Sequence, residues 1–211
     1  MDITILTDNK NSWIIAYVEI LKKQLSLNHN VSHIYKSENI SKGDLLIILS
    51  CENLISKNGL SLNTNNIVVH PSELPKGRGW SPLAWQVLEG QNKIPITLFE
   101  ANENLDSGEV YLVDYIELSG YELNDEIKKK QGEKTLQMVK YFINNIDGIA
   151  SYPQRGKESF YSRRTKEDSE LDISKTLDEQ FNLLRVVDNA RYPAYFVKGN
   201  KKYLMKIYED V

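Results

Sequence analysis

Residues 45–49 read Leu45-Leu46-Ile47-Ile48-Leu49, a run of five large aliphatic residues with a charged residue before it and none directly after it. A run this short and this uniformly apolar is typical of a β-strand that is buried on both faces, as in a parallel sheet. Two further β-rich runs, residues 3–6 and 67–69, lie on either side of it along the chain. The three runs therefore predict a sheet that is covered on both sides.

Helical patterns accompany these strands. Residues 13–25 carry large apolar side chains every four positions, which predicts one face of a helix. A second helix is predicted near residues 81–88, and a long amphipathic helix at about 124–146, where Gly132 is a weak point. Alternating strands and helices predict a doubly wound, Rossmann-like α/β fold, in which ligands bind at the carboxyl ends of the strands.

Two more β-rich runs, residues 94–99 and 110–116, are separated by an acidic loop that contains glycine, and they are predicted to pair as neighbours. With the long helix, they complete a predicted main domain over residues 1–150. Residues 151–211 form a predicted C-terminal extension.

The extension has three predicted parts. A polar segment at residues 152–172 is expected to be irregular, and residues 176–187 are expected to form a small helix. Two β-rich runs on either side of Lys198-Gly199-Asn200-Lys201 then predict a β-hairpin. The sequence leaves open whether this hairpin finishes the domain or pairs with a second copy in a homodimer.

Composition excludes several classes of protein. The 26 basic and 29 acidic residues give a net charge of -3, which provides no broad cationic field for nucleic acid. The single cysteine, Cys51, rules out an intramolecular disulfide and fits a reducing, cytoplasmic location. The chain has neither an apolar stretch near 18 residues nor a basic leader, so no membrane anchor is expected. His29 and His33 have no companions at metal spacing, and no metal is expected.

One loop stands out as a candidate site. Between Pro71 and Pro82 the chain has three prolines and two glycines, so this segment is a shaped loop that leaves the end of the strand at residues 67–69. His70 ends that strand and opens the loop. Its position at a carboxyl end nominates it as a site residue. The alternative is a histidine at a strand end whose hydrogen bonds are satisfied and which has no functional role.

The loop and the residues after it resemble a known signature. The matching positions are His70, Ser72, Leu74, Pro75, Lys76, Arg78, Gly79, Pro82, Trp85, Gly90, Thr97, Asp106 and Gly108. Over residues 67–111 they resemble the folate-dependent formyltransferases, the group that contains methionyl-tRNA formyltransferase and nucleotide-sugar N-formyltransferases. In that family a histidine in an Asn-x-His pair and a later aspartate are catalytic, and His70 and Asp106 match those two.

The resemblance implies transfer of a formyl group from 10-formyltetrahydrofolate to an amine. The reaction needs a proton acceptor and a group that stabilises a tetrahedral oxyanion. His70 is expected to move the proton, and the Asp106 carboxylate to orient the imidazole. Asp106 is also an ordinary turn residue in Asp-Ser-Gly, and both roles can hold together.

One position departs from the family pattern. Two residues before His70, where the family has its catalytic asparagine, this chain has Val68. Asn66 lies on the same strand face but about 7 Å lower, so the role does not transfer to it. Three interpretations stay open. Another donor can polarise the formyl oxygen, the subfamily can rely on His70 and backbone amides, or the protein can be an inactive relative.

The resemblance also implies two sets of binding residues. Arg-Arg-Thr within residues 159–168 resembles the segment that follows the catalytic domain in sugar formyltransferases, where paired guanidiniums beside an aromatic can hold a diphosphate; the alternative is a charged linker. The residues expected to bind the substrate are Ser72, Lys76, Arg78, Gly79, Trp80, Tyr161, Arg163 and Arg164. Those expected to contact the folate are Cys51, Glu100, Asn104, Leu105 and Asp106.

The acceptor implied by the resemblance is a nucleotide-linked amino sugar. Residues 181–196 resemble the short C-terminal extension of sugar formyltransferases, and the early position of His70 together with Leu74-Pro75-Lys76-Gly77-Arg78-Gly79-Trp80-Ser81-Pro82 suggests the pseudaminic acid branch. There the acceptor is UDP-4-amino-4,6-dideoxy-N-acetyl-altrosamine. The alternatives are a dTDP-4-amino-4,6-dideoxyhexose acceptor and a non-catalytic nucleotide-sugar or folate binder.

Overall fold

A computed structural model describes residues 1–210 and contains one mixed sheet of six strands with two small two-stranded sheets. The strands are β1 (Asp2–Leu6), β2 (Asn30–Ile34), β3 (Gly43–Ile48), β4 (Asn63–His70), β5 (Arg78–Gly79), β6 (Lys93–Glu100), β7 (Val110–Glu117), β8 (Phe160–Tyr161), β9 (Ala194–Lys198) and β10 (Lys201–Met205). The α-helices are α1 (Ile15–Leu25), α2 (Lys57–Leu60), α3 (Pro82–Leu88), α4 (Asn124–Asn144) and α5 (Phe181–Val186).

The main sheet has the strand order β2-β1-β3-β4-β6-β7. The first four strands are parallel, whereas β6 and β7 run antiparallel to their neighbours. The predicted pairing of β6 with β7 is confirmed, and so is the hairpin, formed by β9 and β10. The doubly wound α/β prediction with a C-terminal helix and hairpin is therefore confirmed.

Strand β3 shows why the sheet is buried on both faces. Leu45 and Ile47 face the larger core, where α1 and α4 pack, while Leu46 and Ile48 face a smaller cluster with Ile40, Ile55 and Leu60. Successive side chains of a strand point to opposite faces, so an uninterrupted aliphatic run supplies both cores. Burying each such side chain contributes about 1.5–3 kcal/mol.

The structure corrects the predicted helix over residues 176–187. Helix α5 begins only at Phe181, and residues 177–180 form a turn. The side chain of Gln180 explains this boundary, since its Oε1 accepts from the Asp172 amide at 2.7 Å and its Nε2 donates to the Asp172 and Thr176 carbonyls. These contacts fold the chain back before the helix and hold the turn.

A buried arginine joins the extension to the sheet domain. Arg185 of α5 is only 1% exposed, and its guanidinium donates to the Glu122 carbonyl at 3.2 Å and to Asn92 at 3.0 Å. The Glu122 carboxylate lies 3.6 Å from a second guanidinium nitrogen. The division of the chain near residue 150 stays a prediction.

Within residues 1–210, no helix is both long and apolar enough to cross a membrane.

Candidate active site

His70 is the last residue of β4 and is 7% exposed. Its partner in the sheet is Thr97 of β6, whose hydroxyl donates to the Ser72 carbonyl at 2.6 Å. The Gln86 side chain donates to the Pro71 carbonyl at 2.7 Å. The loop that follows His70 is thus fixed at its base by contacts from β6 and α3.

A main-chain carbonyl orients the His70 ring. Nε2 lies 2.9 Å from the carbonyl oxygen of Gly77, which has φ +74° in the left-handed region. Because a carbonyl oxygen can only accept, Nε2 carries the proton and donates it to this bond. In the neutral ring Nδ1 is therefore unprotonated, with its lone pair available.

Asp106 lies on the Nδ1 side of the ring. Its Oδ2 accepts from the Gly79 amide at 2.9 Å and lies 3.7 Å from Nδ1 of His70, too far for a hydrogen bond. In the structure the hydrogen bond that orients the ring is made with the Gly77 carbonyl and not with this carboxylate, and the orienting role of Asp106 stays a prediction. Asp106 is instead placed to stabilise a ring that has gained a proton at Nδ1.

Gln154 connects the two segments that carry this geometry. Its Nε2 donates to the carbonyls of Asp106 and Gly108, both at 2.9 Å, and its Oε1 accepts from Arg78 at 2.8 Å. Gly108 has no room for a side chain because a Cβ there would meet the Glu100 carbonyl oxygen. The Asp106 turn is therefore fixed relative to the loop after His70.

Residues 66 and 68 take no part in this hydrogen bonding. Val68 is half-buried and packs against Leu74, Phe99 and Val110. The main-chain and side-chain nitrogens of Asn66 donate to Oε1 of Glu100, at 2.6 and 3.2 Å. Asn66 thus donates to the Glu100 carboxylate and does not replace the asparagine that the family has at position 68.

The predicted folate-contacting residues divide into two groups. Glu100 points inward, where Tyr111 donates to its carboxylate at 2.9 Å and burial raises the pKa of Glu100. Cys51 is half-buried just after β3, where burial and then the charge of Asp8 raise its pKa to about 12. Asn104 and Leu105, by contrast, are exposed in the turn before Asp106.

The predicted substrate-binding residues before Trp80 also differ in accessibility. Ser72, at the start of the loop, is 2% exposed, whereas Lys76 is exposed. Arg78 is held by Glu158, at 2.7 Å, and by Gln154. Of these three side chains, Lys76 is the one open to solvent.

A segment from the extension lies alongside the loop. Strand β8 pairs in parallel with β5, with Gly79 opposite Tyr161, and the Tyr161 hydroxyl donates to Glu89 at 2.9 Å. The Arg163 guanidinium lies 4.9 Å from the ring of Trp80. This pairing places residues 160–163 next to the loop that follows His70.

The structure does not place the two predicted arginines side by side at one ligand. Arg163 is exposed and also contacts Glu52 at 2.9 Å. Arg164 turns inward and donates to the carbonyls of Val186 and Asp168, at 3.0 and 3.1 Å. Arg164 thus binds main chain whereas Arg163 is exposed, and the role of the pair in holding a diphosphate stays a prediction.

Sequence reasoning missed three contributors: Gly77 through its carbonyl, Gln154 and Ser159. Gly77 lies inside the quoted motif, but a main-chain role leaves no trace in residue type. Gln154 and Ser159 lie in a polar segment without periodicity, so only the folded chain reveals their contacts.

Comparison with known proteins places this geometry in a family. Residues 12–140 match the family model described as formyl transferase. A methionyl-tRNA formyltransferase from Thermosipho melanesiensis is 31% identical over 178 residues, covering 79% of this chain and 57% of the relative. The chain spans about half the length of the curated relatives it matches.

Solved structures share the fold. A sugar N-formyltransferase from Shewanella sp FDAARGOS_354 superposes with a TM-score of 0.74 at 14% identity, covering 100% of this chain and 98% of that one. HypX from Aquifex aeolicus, in complex with tetrahydrofolic acid, gives a TM-score of 0.82 at 18% identity, covering 98% of this chain and 37% of that one. The family match extends over more than half of the residues, and the chain belongs to the formyl transferase family.

Proposed function

We propose that this protein is an N-formyltransferase that moves a formyl group from 10-formyltetrahydrofolate to the amine of a nucleotide-linked sugar. The observation that carries the proposal is the arrangement of His70, whose Nδ1 is free to accept a proton and lies 3.7 Å from the Asp106 carboxylate. A proton acceptor next to a fixed negative charge is what attack by an amine requires.

The surroundings of His70 suit a flat, largely apolar ring. Half-buried Cys51, Val68 and Ala101 pack against the smaller cluster that contains Leu46 and Ile48 of β3, and Leu105 is 39% exposed in the turn before Asp106. A pterin ring can lie against such a surface, while main-chain groups of residues 100–106 supply its polar contacts. The assignment of residues 100–106 rests on the resemblance to the family, and the apolar lining is consistent with it.

The chain's own groups then have distinct tasks. Nδ1 of His70 accepts the proton that the amine loses as its bond to the formyl carbon forms. The Asp106 carboxylate stabilises the resulting imidazolium, and the Gly77 carbonyl keeps Nε2–H in place. When bound, the formyl donor would supply the carbonyl carbon, and protonated His70 would return the proton to the donor's leaving nitrogen as the bond between that nitrogen and the carbon breaks.

Two observations support a nucleotide-sugar acceptor. The Shewanella sugar N-formyltransferase shares the fold over 100% of this chain and 98% of its own. Exposed Arg163 over the Trp80 ring offers a cation and an aromatic face, which suit a phosphate and a base. Within this class we propose UDP-4-amino-4,6-dideoxy-N-acetyl-altrosamine, of pseudaminic acid biosynthesis, as the acceptor.

The same site is compatible with two other functions. A dTDP-4-amino-4,6-dideoxyhexose would present an equivalent amine. Val68, in the place of a catalytic asparagine, favours a non-catalytic binder of folate or nucleotide sugar.

Incubation of the protein with 10-formyltetrahydrofolate and each nucleotide sugar, followed by the mass of the product, tests the proposal. We expect formylation of the UDP-linked sugar and its loss in His70→Asn. His29→Asn is the matched control, since His29 lies beside β2 at the opposite end of the parallel strands and is expected to leave turnover unchanged. Binding of both ligands without any product would establish the non-catalytic alternative.

A further inference from the structure

Residues 159–161, here called the strap, lie across the loop that follows His70. We infer that the strap fixes the tautomer of His70 and so selects Nδ1 as the nitrogen that accepts the proton. The inference rests on the proposed function for its catalytic meaning. The tautomer of the His70 ring, by contrast, does not depend on the proposed function. Ser159 and Tyr161 would then be positioning residues, acting on His70 through the loop.

The peptide group between Gly77 and Arg78 transmits this effect. Its carbonyl oxygen accepts from Nε2 of His70 at 2.9 Å, and its N–H, on Arg78, donates to the Ser159 carbonyl at 2.9 Å. A trans peptide is planar, with its C=O and N–H pointing in opposite directions. Anchoring the N–H on the strap therefore aims the carbonyl at the histidine ring.

Further contacts hold the same point of the loop. The Gly77 amide donates to Oγ of Ser159 at 2.9 Å, and the Ser159 amide donates to the Pro75 carbonyl at 3.3 Å. A Cβ on Gly77 would come within 2.9 Å of the Tyr161 ring. Three hydrogen bonds from one serine and the ring of Tyr161 thus define where the Gly77 carbonyl lies.

This geometry has a chemical consequence. An imidazole whose Nε2–H is bound to a carbonyl has its lone pair on Nδ1, which here faces Asp106 at 3.7 Å. The amine's proton then adds to Nδ1, and the product is an imidazolium with one N–H on the Gly77 carbonyl and the other directed at the carboxylate. If the carbonyl turned away, the ring could carry its proton on Nδ1 and present no base on that side.

Nuclear magnetic resonance of the full chain labelled with ¹⁵N-histidine tests the inference without any substrate. The ring pattern that disappears in His70→Asn belongs to His70, and His29 and His33 remain as internal references. We expect the neutral ring of His70 to be wholly in the Nε2–H form. A wild-type ring in the Nδ1–H form would overturn the inference, even if the enzyme formylates its substrate.

Ser159→Ala removes the hydroxyl oxygen that accepts a hydrogen bond from the Gly77 amide. We expect mixed tautomers of His70 and a fall in kcat of about tenfold, the size of effect expected from one lost hydrogen bond, with KM little changed. Ser159→Thr keeps an acceptor oxygen and is expected to restore both readouts. Ser162→Ala makes the same change at an exposed position next to the strap and serves as the control.

Two results would count against the strap. An unaltered His70 spectrum in Ser159→Ala, or equal losses of kcat in Ser159→Ala and Ser162→Ala, would show that the Ser159 hydroxyl has no positioning role. If no sugar is formylated by the wild-type protein, the proposed function fails, while the tautomer measurement still decides the inference.

Discussion

Asp106 combines a turn conformation with a position at the candidate site. Its φ of +47° lies in the left-handed region, which costs a residue with a side chain about 1 kcal/mol or more. The conformation persists because Gln154 holds the Asp106 carbonyl and the Gly79 amide holds its carboxylate. Both interpretations of Asp106 from the sequence, turn residue and partner of His70, are therefore compatible.

Replacing Asp106 by asparagine separates these two properties. Asparagine also tolerates the left-handed region and keeps an oxygen for the Gly79 amide, but it lacks the charge that stabilises a protonated His70. We expect kcat for formyl transfer to fall by about 10²-fold with little change in thermal stability. Circular dichroism melts alongside the assay check this, and undiminished turnover would remove Asp106 from the mechanism.

Cys51 should be an unreactive thiol. Its pKa of about 12 arises first from burial and then from the negative charge of Asp8. Because the thiolate is the nucleophile, alkylation by iodoacetamide at pH 8 should be slower by a factor on the order of 10³ in the native protein than in the urea-unfolded chain. Mass spectrometry over time measures both rates, and equal rates would show that Cys51 is accessible and ionised.

At the scale of elements, α4 packs against α1 through a glycine. A Cβ on Gly132 would lie 2.5 Å from the Tyr17 ring, which also makes a T-shaped contact with the Trp13 ring, with centroids 5.9 Å apart. The sequence marks Gly132 only as a weak point in a helix. The structure shows that the missing side chain makes room for an aromatic ring.

Gly132→Ala compares the gain in helix propensity from alanine with the cost of its overlap with the Tyr17 ring. Alanine favours a helix by about 1 kcal/mol over glycine, but forcing a methyl group against a packed ring costs about 1–3 kcal/mol. We expect a net loss in the free energy of unfolding, measured in urea, and its recovery when Tyr17→Leu is added. Gly148→Ala, at a position with open space around it, is the neutral control.

Sequence patterns predict the elements whose own residues form a recognisable pattern. β3 is an uninterrupted aliphatic run, and α4 has a long amphipathic period. β2 carries polar residues on an edge strand, and β5 and β8 are two residues long and exist only because they pair with each other. Pairing between distant segments leaves no local period, and this is why the sequence could not predict them.

At the scale of the whole molecule, a buried ion cluster connects the sheet domain with the extension. Burial alone would raise the pKa of Glu122, but hydrogen bonds from Lys130 and from the Ser119 amide outweigh it and lower the pKa to about 2. Arg185 contacts the same residue from α5. We therefore expect the contribution of the Glu122 carboxylate to the free energy of unfolding to depend on pH.

The direction of this dependence follows from the lowered pKa. The folded protein binds the Glu122 proton more weakly than the unfolded chain does, so the contribution is complete above about pH 4.5 and is lost as the pH falls towards 2. It amounts to roughly 3 kcal/mol. In Glu122→Gln we expect a lower free energy of unfolding at pH 7 and a gap from wild type that narrows towards pH 2. Exposed Glu103→Gln is the control, and a constant gap would contradict the assignment.

The candidate site shows the same limit of sequence reasoning as the fold. His70 and Asp106 can be proposed from one continuous signature, because both belong to segments with recognisable residues. The carbonyl that orients His70 and the serine that anchors it cannot, since they depend on residues some 80 positions apart that meet only in the folded chain.

The parallel pairing of β5 with β8 also sets an order of events during translation. A ribosome releases the N-terminal residues first, so all six strands of the main sheet leave it before Ser159 does. Until the strap emerges, nothing anchors the peptide group that faces His70. A nascent polypeptide that has released every residue of the matched signature therefore still lacks the contacts of Ser159 with the Gly77–Arg78 peptide group.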